Sequence, residues 1–402
     1  MRVSTTFIHQ QGVQNMLQQQ SRLVGTQQQL ASGKRINVPS DDPVGASRVI
    51  DLDEAISQLA QHEENGGYAM QRLGMEETTL NSVLNVLQRA RELAVQGGNL
   101  GALDLAGRQA VAQELREKLD EVFDYANTRD ANGEYLFSGF QSGTQAFSTD
   151  GMGNYTYNGD LGQLALQIGN NRQVITNDSG ADVFQLIRNG NGTFVTDVAA
   201  TNTGSGRITT GSVQNPATYL PQDFTIRFTS ATTFEVDNVT TGATNIIGAQ
   251  TYTEGAAINF NGVEVVINGT PATADTFSVN ASRNQDLFSM INNLIVDIET
   301  SPQSAAGNAQ YLQGVANALN NIDRAMENIE NVRTHIGGRM NAVESQADDN
   351  AAKKLQFTSV RSQVRDLDYA EAISKLTFQT TALQVAQQTF SKVQNLSLFN
   401  FI

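Results

Sequence analysis

The residues best suited to proton transfer or metal binding near neutral pH are three histidines, His9, His62 and His335. None has a second histidine at the spacing of a metal site. His9 and His335 fall within helical patterns, so each reads as a polar helix position. The chain has no cysteine, which removes disulfides, thiol nucleophiles, cysteine-held zinc and iron–sulfur clusters. A Ser/His/Asp triad is unsupported, because no Gly-x-Ser-x-Gly elbow occurs. Gly33-Lys34 looks like the end of a phosphate loop, yet a Walker motif needs glycine where Gln28 stands and Ser or Thr where Arg35 stands. The adjacent carboxylates Asp41-Asp42 and Asp348-Asp349 would point about 100° apart on a helix and make poor acid–base pairs. Thr149-Asp150-Gly151-Met152-Gly153-Asn154 hints at a calcium loop but lacks the later acidic ligand, and reads as a turn. Sequons such as Asn177-Asp178-Ser179 and Asn191-Gly192-Thr193 matter only on a eukaryotic secretory route. The expectation is no enzyme, with no catalytic residue, metal or cofactor.

The chain has 402 residues, enough for two or three domains. Only 39% are hydrophobic and 17% charged; Gln, Asn, Thr, Ser and Gly fill the difference. That composition suits hydrogen-bonded surfaces, and burial between chains, more than one large apolar core. The net charge of −15, with no more than two basic residues adjacent, excludes nucleic acid as a partner, since a duplex binder needs a basic stripe. No segment approaches the roughly 20 apolar residues of a membrane helix. Met1–Gln10 lacks the apolar run of a cleaved signal peptide, which by itself reads as cytoplasmic. A secretion route that uses no such signal would escape that test.

The elements differ between the ends and the middle. Residues 1–140 and 285–402 are helical in pattern. Residues 141–284 are rich in Gly, Thr and Asn, contain no lysine, and read as strands and turns. Near the N-terminus, Met16/Leu17, Leu23/Val24 and Leu30/Ala31 repeat one heptad apart. Glutamines interrupt this stripe, and Arg22 is the only full charge between Val3 and Gly33. Gly33 reads as a helix stop, and Asp42-Pro43 as an N-cap followed by proline at the first helical position. Leu73, Leu80, Leu87 and Ala94 continue at heptad spacing until Gly97-Gly98-Asn99, and Val111, Leu115, Leu119, Val122 and Ala126 form a second stripe. Toward the C-terminus come Leu287, Ile291, Leu294 and Ile298, then Leu312, Val315, Leu319, Ile322, Met326 and Ile329. The last stripe is Tyr369, Leu376, Leu383 and Phe390; from Leu376 onward Lys392 is the only charge. In the middle, Phe224, Ile226 and Phe228 alternate with polar residues. Asn261-Gly262 predicts a type I′ hairpin turn, and Asn132-Gly133 a second hairpin.

A solvated helix normally carries charges on its outer face, and the two terminal stripes do not. They could be ordinary amphipathic helices on a core. Heptads at both ends, with the outer charge missing, favour burial against other chains instead. Two helices of roughly 30–40 residues form too small a core to stand alone. Such ends could stay loose in the monomer and order on assembly.

Three stretches carry a family resemblance: Gln29–Asn37 with Ser40–Pro43, Arg89–Gly97, and Arg365–Ala372. Together they resemble the bacterial flagellins. Asn132–Gly139, Tyr157–Asp160 and the ending Ala386–Ile402 favour the flagellin-like hook-associated proteins of the hook–filament junction over flagellin itself. The resemblance implies an α+β multidomain fold: a long coiled coil and bundle from both termini, with an inserted β-rich outer domain. Residues 1–42 and 366–402 would form the inner coiled coil, 43–140 and 285–365 the helical bundle, and 141–284 the outer domain. Met16, Leu23, Leu30, Tyr369, Leu376, Leu383, Phe390 and Val393 would supply burial between subunits. The implied partners are hook-associated protein 1, flagellin, further copies of the chain in a helical ring, a cytosolic export chaperone and the flagellar type III export apparatus, with no membrane insertion. The implied location is extracellular. Flagellin itself is the alternative within the class. A secreted enzyme or adhesin would show a concave polar pocket with perturbed carboxylates in 141–284. A type III translocator would need a strongly apolar segment that this chain lacks.

Overall fold

The structure, a computed structural model, describes residues 5–100, 103–300 and 304–395. Among the described residues, six α-helices form toward the two ends of the chain: α1 (Thr5–Ser32), α2 (Pro43–Gly97), α3 (Leu105–Ala126), α4 (Leu287–Thr300), α5 (Ala305–Arg365) and α6 (Tyr369–Asn395). Short antiparallel strands occupy the stretch between α3 and α4. The chain divides into two compact units, residues 1–65 with 345–402, and residues 66–344.

The 66–344 unit has two main apolar cores. In the helical core, Leu73, Leu80, Leu87 and Ala94 of α2 are sealed from solvent beside Val111, Leu115 and Val122 of α3. Leu287, Ile291 and Leu294 of α4 and Ile322 and Ile329 of α5 complete it. These are the residues that the 3–4 spacing places on one helix face. Asp104 starts α3 by accepting a hydrogen bond from the Gly107 N–H at 2.8 Å.

The second core is a β-rich body. A five-stranded sheet runs in the order Ala243–Thr251, Thr233–Asn238, Phe224–Ser230, Thr276–Ala281, Phe194–Val198. A smaller sheet holds Ala257–Phe260, Val263–Asn268 and Arg207–Ile208. Alternation does the sorting: Phe224, Ile226 and Phe228 point inward onto Val265, Ile267, Phe277 and Val279. Asn261 and Gly262 both have positive φ, 48° and 73°, and join Phe260 directly to Val263, the type I′ turn expected.

Asn132-Gly133 departs from expectation. It is a turn in which Asp130 Oδ1 accepts the N–H groups of Asn132 and Glu134, at 2.8 and 2.9 Å. Only an isolated bridge, Arg129 to Tyr135, flanks it. Gly133 alone takes positive φ, so the geometry is not the two-residue hairpin, which needs both. Asp150 closes the turn between Phe147–Thr149 and Tyr155–Tyr157, accepting from Met152 N at 2.8 Å and from the Asn154 side chain at 2.6 Å.

In the other unit, few residues are buried. Ile36, Ala46, Leu59 and Ala372 are the buried apolar ones among its described residues.

Candidate assembly surface

The unit made from both chain ends is organised by a clasp between two loops. α1 stops at Gly33, whose φ of +70° suits glycine. A Cβ there would also stand 2.8 Å from the Tyr369 hydroxyl. Arg35 then satisfies the open end of α5. Its N–H donates to Arg365 O at 2.7 Å, and its guanidinium donates to Val364 O at 2.6 and 3.2 Å. Leu367 N–H donates back to Gly33 O at 3.0 Å. Asp41 Oδ2 accepts from Asn37 and Val38, and Asp42 Oδ1 caps α2 through the Gly45 N–H at 2.9 Å. Asp368 caps α6 through Ala370 N at 2.9 Å. The Gly45 N–H, with Arg35 beside it, holds the Asp42 carboxyl below its ordinary range. The Ser362 hydroxyl and then Arg365 do the same for Asp366.

This clasp turns the chain so that α1 and α6 run antiparallel along each other. At their far ends His9 meets the Phe390 ring edge-on, centroids 5.8 Å apart. A Cβ on Gly12 would lie 2.9 Å from that ring. Met16 and Phe390 line a groove of about 690 Å³ together with Gln18, Gln19 and Ala386. Leu23, Leu30, Leu376 and Leu383 follow on the same helix faces and are half-buried. Of the eight packing residues expected from sequence, Met16 and Phe390 therefore line the groove between α1 and α6, and Leu23, Leu30, Leu376 and Leu383 share their heptad faces. Tyr369 is exposed, and the side chain of Val393 lies outside the described residues.

A second stripe lies beside that seam, and sequence reasoning did not single it out as a site. On α1 it is Val13, Leu17 and Val24, with Leu17 59% exposed; on α6 it is Ile373, Phe378 and Val385, with Phe378 75% exposed. On α6, threonines complete it. Thr377, Thr380, Thr381 and Thr389 each donate their hydroxyl to the carbonyl four residues back, at 2.7–2.9 Å. Their polar groups are thus already satisfied, and the face can be buried without an orphaned donor. The available signal was the pairing itself: Leu17 and Val24 directly follow Met16 and Leu23.

Away from this surface, the 66–344 unit contains a polar cavity of about 550 Å³ lined by Asp197, Asp297, Gln310, Asn317 and Asn321 among others. Burial, with the Asp197 charge added, pushes Asp297 up to about 6. Desolvation also raises Asp197, although the residue is exposed. A Cβ at Gly314 would collide with the Asp297 carboxylate. Among the described residues no group of three or more His, Cys, Asp or Glu could hold a metal, and no helix is long and apolar enough to cross a membrane.

Fold and surface define a flagellin-like structural protein. The bacterial flagellin N-terminal helical region matches residues 3–142, and the C-terminal helical region matches residues 319–402. The flagellar hook associated protein-3 of Legionella pneumophila has a crystal structure that is 32% identical. That match covers 78% of this chain and 98% of that one, with a TM-score of 0.74. Flagellar hook-associated protein 3 of Escherichia coli (strain K12) is 24% identical over 400 residues, 99% of each chain. A flagellin from Clostridium tyrobutyricum is 23% identical over 385 residues, 90% of each. The chain belongs to the flagellar hook-associated protein 3 family. Two of the stretches that carried the resemblance, Gln29–Asn37 and Arg365–Ala372, meet in the clasp through main-chain hydrogen bonds, while Arg89–Gly97 lies at the end of α2.

Proposed function

We propose that this chain is a structural subunit of the hook–filament junction, with hook-associated protein 1 on one side and flagellin on the other. Copies repeat around the flagellar axis as a helical ring, a heterologous contact that propagates without two-fold closure. The observation that carries this reading is the uncharged, apolar stripe on α1 and α6, left uncovered in a single chain. Its family membership favours the junction over the bulk filament. In this reading residues 1–42 and 366–402 form the inner layer, 43–140 and 285–365 the bundle, and 141–284 the outer domain. Met16, Leu23, Leu30, Leu376, Leu383 and Phe390 set the two-helix unit. Tyr369, Val393 and the outer stripe meet neighbouring copies. The subunit is extracellular and reaches its place unfolded through the flagellar type III apparatus. Before export a cytosolic chaperone covers the C-terminal helix, whose uncharged apolar face would otherwise aggregate. It performs no catalysis.

Deletion of the gene tests this directly. The expected strain builds hooks and sheds flagellin into the medium. Intact filaments on the deletion strain would contradict the junction role.

One observation favours a second reading. The cavity around Asp197 and Asp297 has the amide lining and raised carboxylates suited to a small polar ligand. Its described lining includes no His, Lys, Arg or Cys, so it suits binding rather than catalysis. Calorimetry with a panel of polyols and amines tests it; a flat titration throughout removes the ligand reading.

A further inference from the structure

The 66–344 unit buries a set of charged groups that neither the helical core nor the assembly surface uses. Arg72 and Glu76 sit one turn apart on the inner face of α2 and are 4% and 1% exposed. Arg72 Nη1 donates to Asp130 at 3.4 Å and to Glu134 at 3.2 Å, both long contacts. Glu76 Oε1 accepts the Asp178 N–H at 3.0 Å. Asp178 in turn pairs with Arg339 of α5, which also donates to Ile175 O. The node therefore gathers α2, α5 and the segments around 130 and 178.

Several polar atoms here are sealed from solvent. Arg72 Nε, Arg72 Nη2 and Glu76 Oε2 have no hydrogen-bond partner among the described residues. A buried guanidinium with such donors is costly, and native proteins resolve that cost with a bound group. The surroundings select its chemistry. An anion at Arg72 would face the carboxylates of Asp130 and Glu134. A cation at Glu76 would face the guanidiniums of Arg72 and Arg339. An apolar occupant would leave every polar atom unmatched. A small neutral group that both accepts and donates meets both demands.

We propose that Arg72 and Glu76 enclose an internal water site, where ordered water accepts from Arg72 Nε and Nη2 and hydrogen-bonds to Glu76 Oε2. The water completes a polar clasp that fastens residues 175–180 to α2. Burial, reinforced by the Asp178 charge, pushes the Glu76 carboxyl well up. A carboxyl that keeps its proton can both donate to water and accept from it.

A crystal structure of the full chain, at a resolution that shows ordered solvent, tests the site. The expected result is an oxygen peak about 2.7–3.2 Å from both Glu76 Oε2 and an Arg72 nitrogen. Arg72 bonded directly to Glu76 or to another protein acceptor, with no such peak, would overturn the proposal. So would an anomalous bromide peak at Arg72 after a halide soak, which would mark an anion site. Two variants give a second readout in solution. Glu76→Gln keeps an acceptor for Asp178 N–H and a partner for water, and should melt close to the parent. Glu76→Leu keeps neither and should melt several degrees lower. Equal melting of the two variants contradicts the water site.

Discussion

Helix α2 changes character along its length. Val44 and Ile50, in the unit built from the chain ends, are 80% and 62% exposed, while Leu73, Leu80 and Leu87, in the 66–344 unit, have no exposed surface. The contrast extends to both units. The 66–344 unit seals its stripes and crosses its outer faces with ion pairs such as Arg89–Glu114, Arg91–Asp323, Arg116–Glu299 and Arg333–Glu77. The terminal unit leaves Leu17, Phe378 and Leu355 exposed. Along α1 its only full charge is Arg22, and along α6 from Leu376 onward its only charge is Lys392. Both units use heptad-spaced apolar residues, so spacing does not separate them. What separates them is whether one chain contains enough partner surface. Each large apolar side chain left in water forgoes about 1.5–3 kcal/mol of burial, and a charge-free face gives up the usual solvating groups as well. On the proposed reading, neighbouring copies cover that surface.

Phe378→Asp should have the strongest consequence. Phe378 is exposed in the single chain, so the variant should fold like the parent by circular dichroism. Placed in a packed interface it buries an unpaired carboxylate. In a complemented deletion strain it should abolish motility, with flagellin released to the medium; normal swimming would show that this face stays in water. Next comes Leu87→Ala in the sealed core, which should lower unfolding stability by about 2–5 kcal/mol. Val44→Ala, at an exposed site on the same helix, should change it by less than about 0.5 kcal/mol. Similar losses for the two would erase the distinction between the units.

Gly33→Ala should cost about 1–2 kcal/mol, because alanine must hold the left-handed conformation that ends α1. It should act on the clasp, exposing α1 and α6 to protease while the 66–344 unit stays resistant. The smallest effect concerns pH. Glu76 faces Asp178 and Arg339 as well as Arg72, whose other partners are Asp130 and Glu134. Its folded pKa is raised above the ordinary 4.5, so the native state binds the extra proton. Stability should therefore fall as pH rises from that ordinary value through the folded one, by at most about 1.4 kcal/mol per pH unit. Glu76→Gln should flatten that part of the pH profile. An unchanged slope in the variant would place the titration elsewhere, Asp297 being the next group raised by burial.

Much of the fold was legible because it follows local rules. Leu73, Leu80 and Leu87 repeat at the helical period, Asn261-Gly262 admits positive φ twice, and Gly33 and Asp42-Pro43 mark helix ends. Asn132-Gly133 misled because Asp130, two residues before Asn132, folds its side chain over the turn and overrides the hairpin. The candidate assembly surface was half legible. Met16 and Leu17 are neighbours in sequence, but periodicity cannot tell which of two adjacent stripes meets α6 and which stays outside. The Arg72–Glu76 node was not legible, since Arg72, Asp130, Asp178 and Arg339 come from separate segments and carry no local pattern. The cavity around Asp197 and Asp297 was hidden for the same reason.

In the proposed junction, only other copies and neighbours cover the faces of α1 and α6. Hydrogen exchange, read segment by segment on the full chain as a monomer and in isolated hook–junction assemblies, addresses it most directly. Amides of Thr5–Ser32 and Tyr369–Asn395 should gain protection by orders of magnitude on assembly, while those of the sealed core around Leu80 and Leu115 stay unchanged. Equal protection of the terminal helices in both states would show that assembly leaves these faces in water.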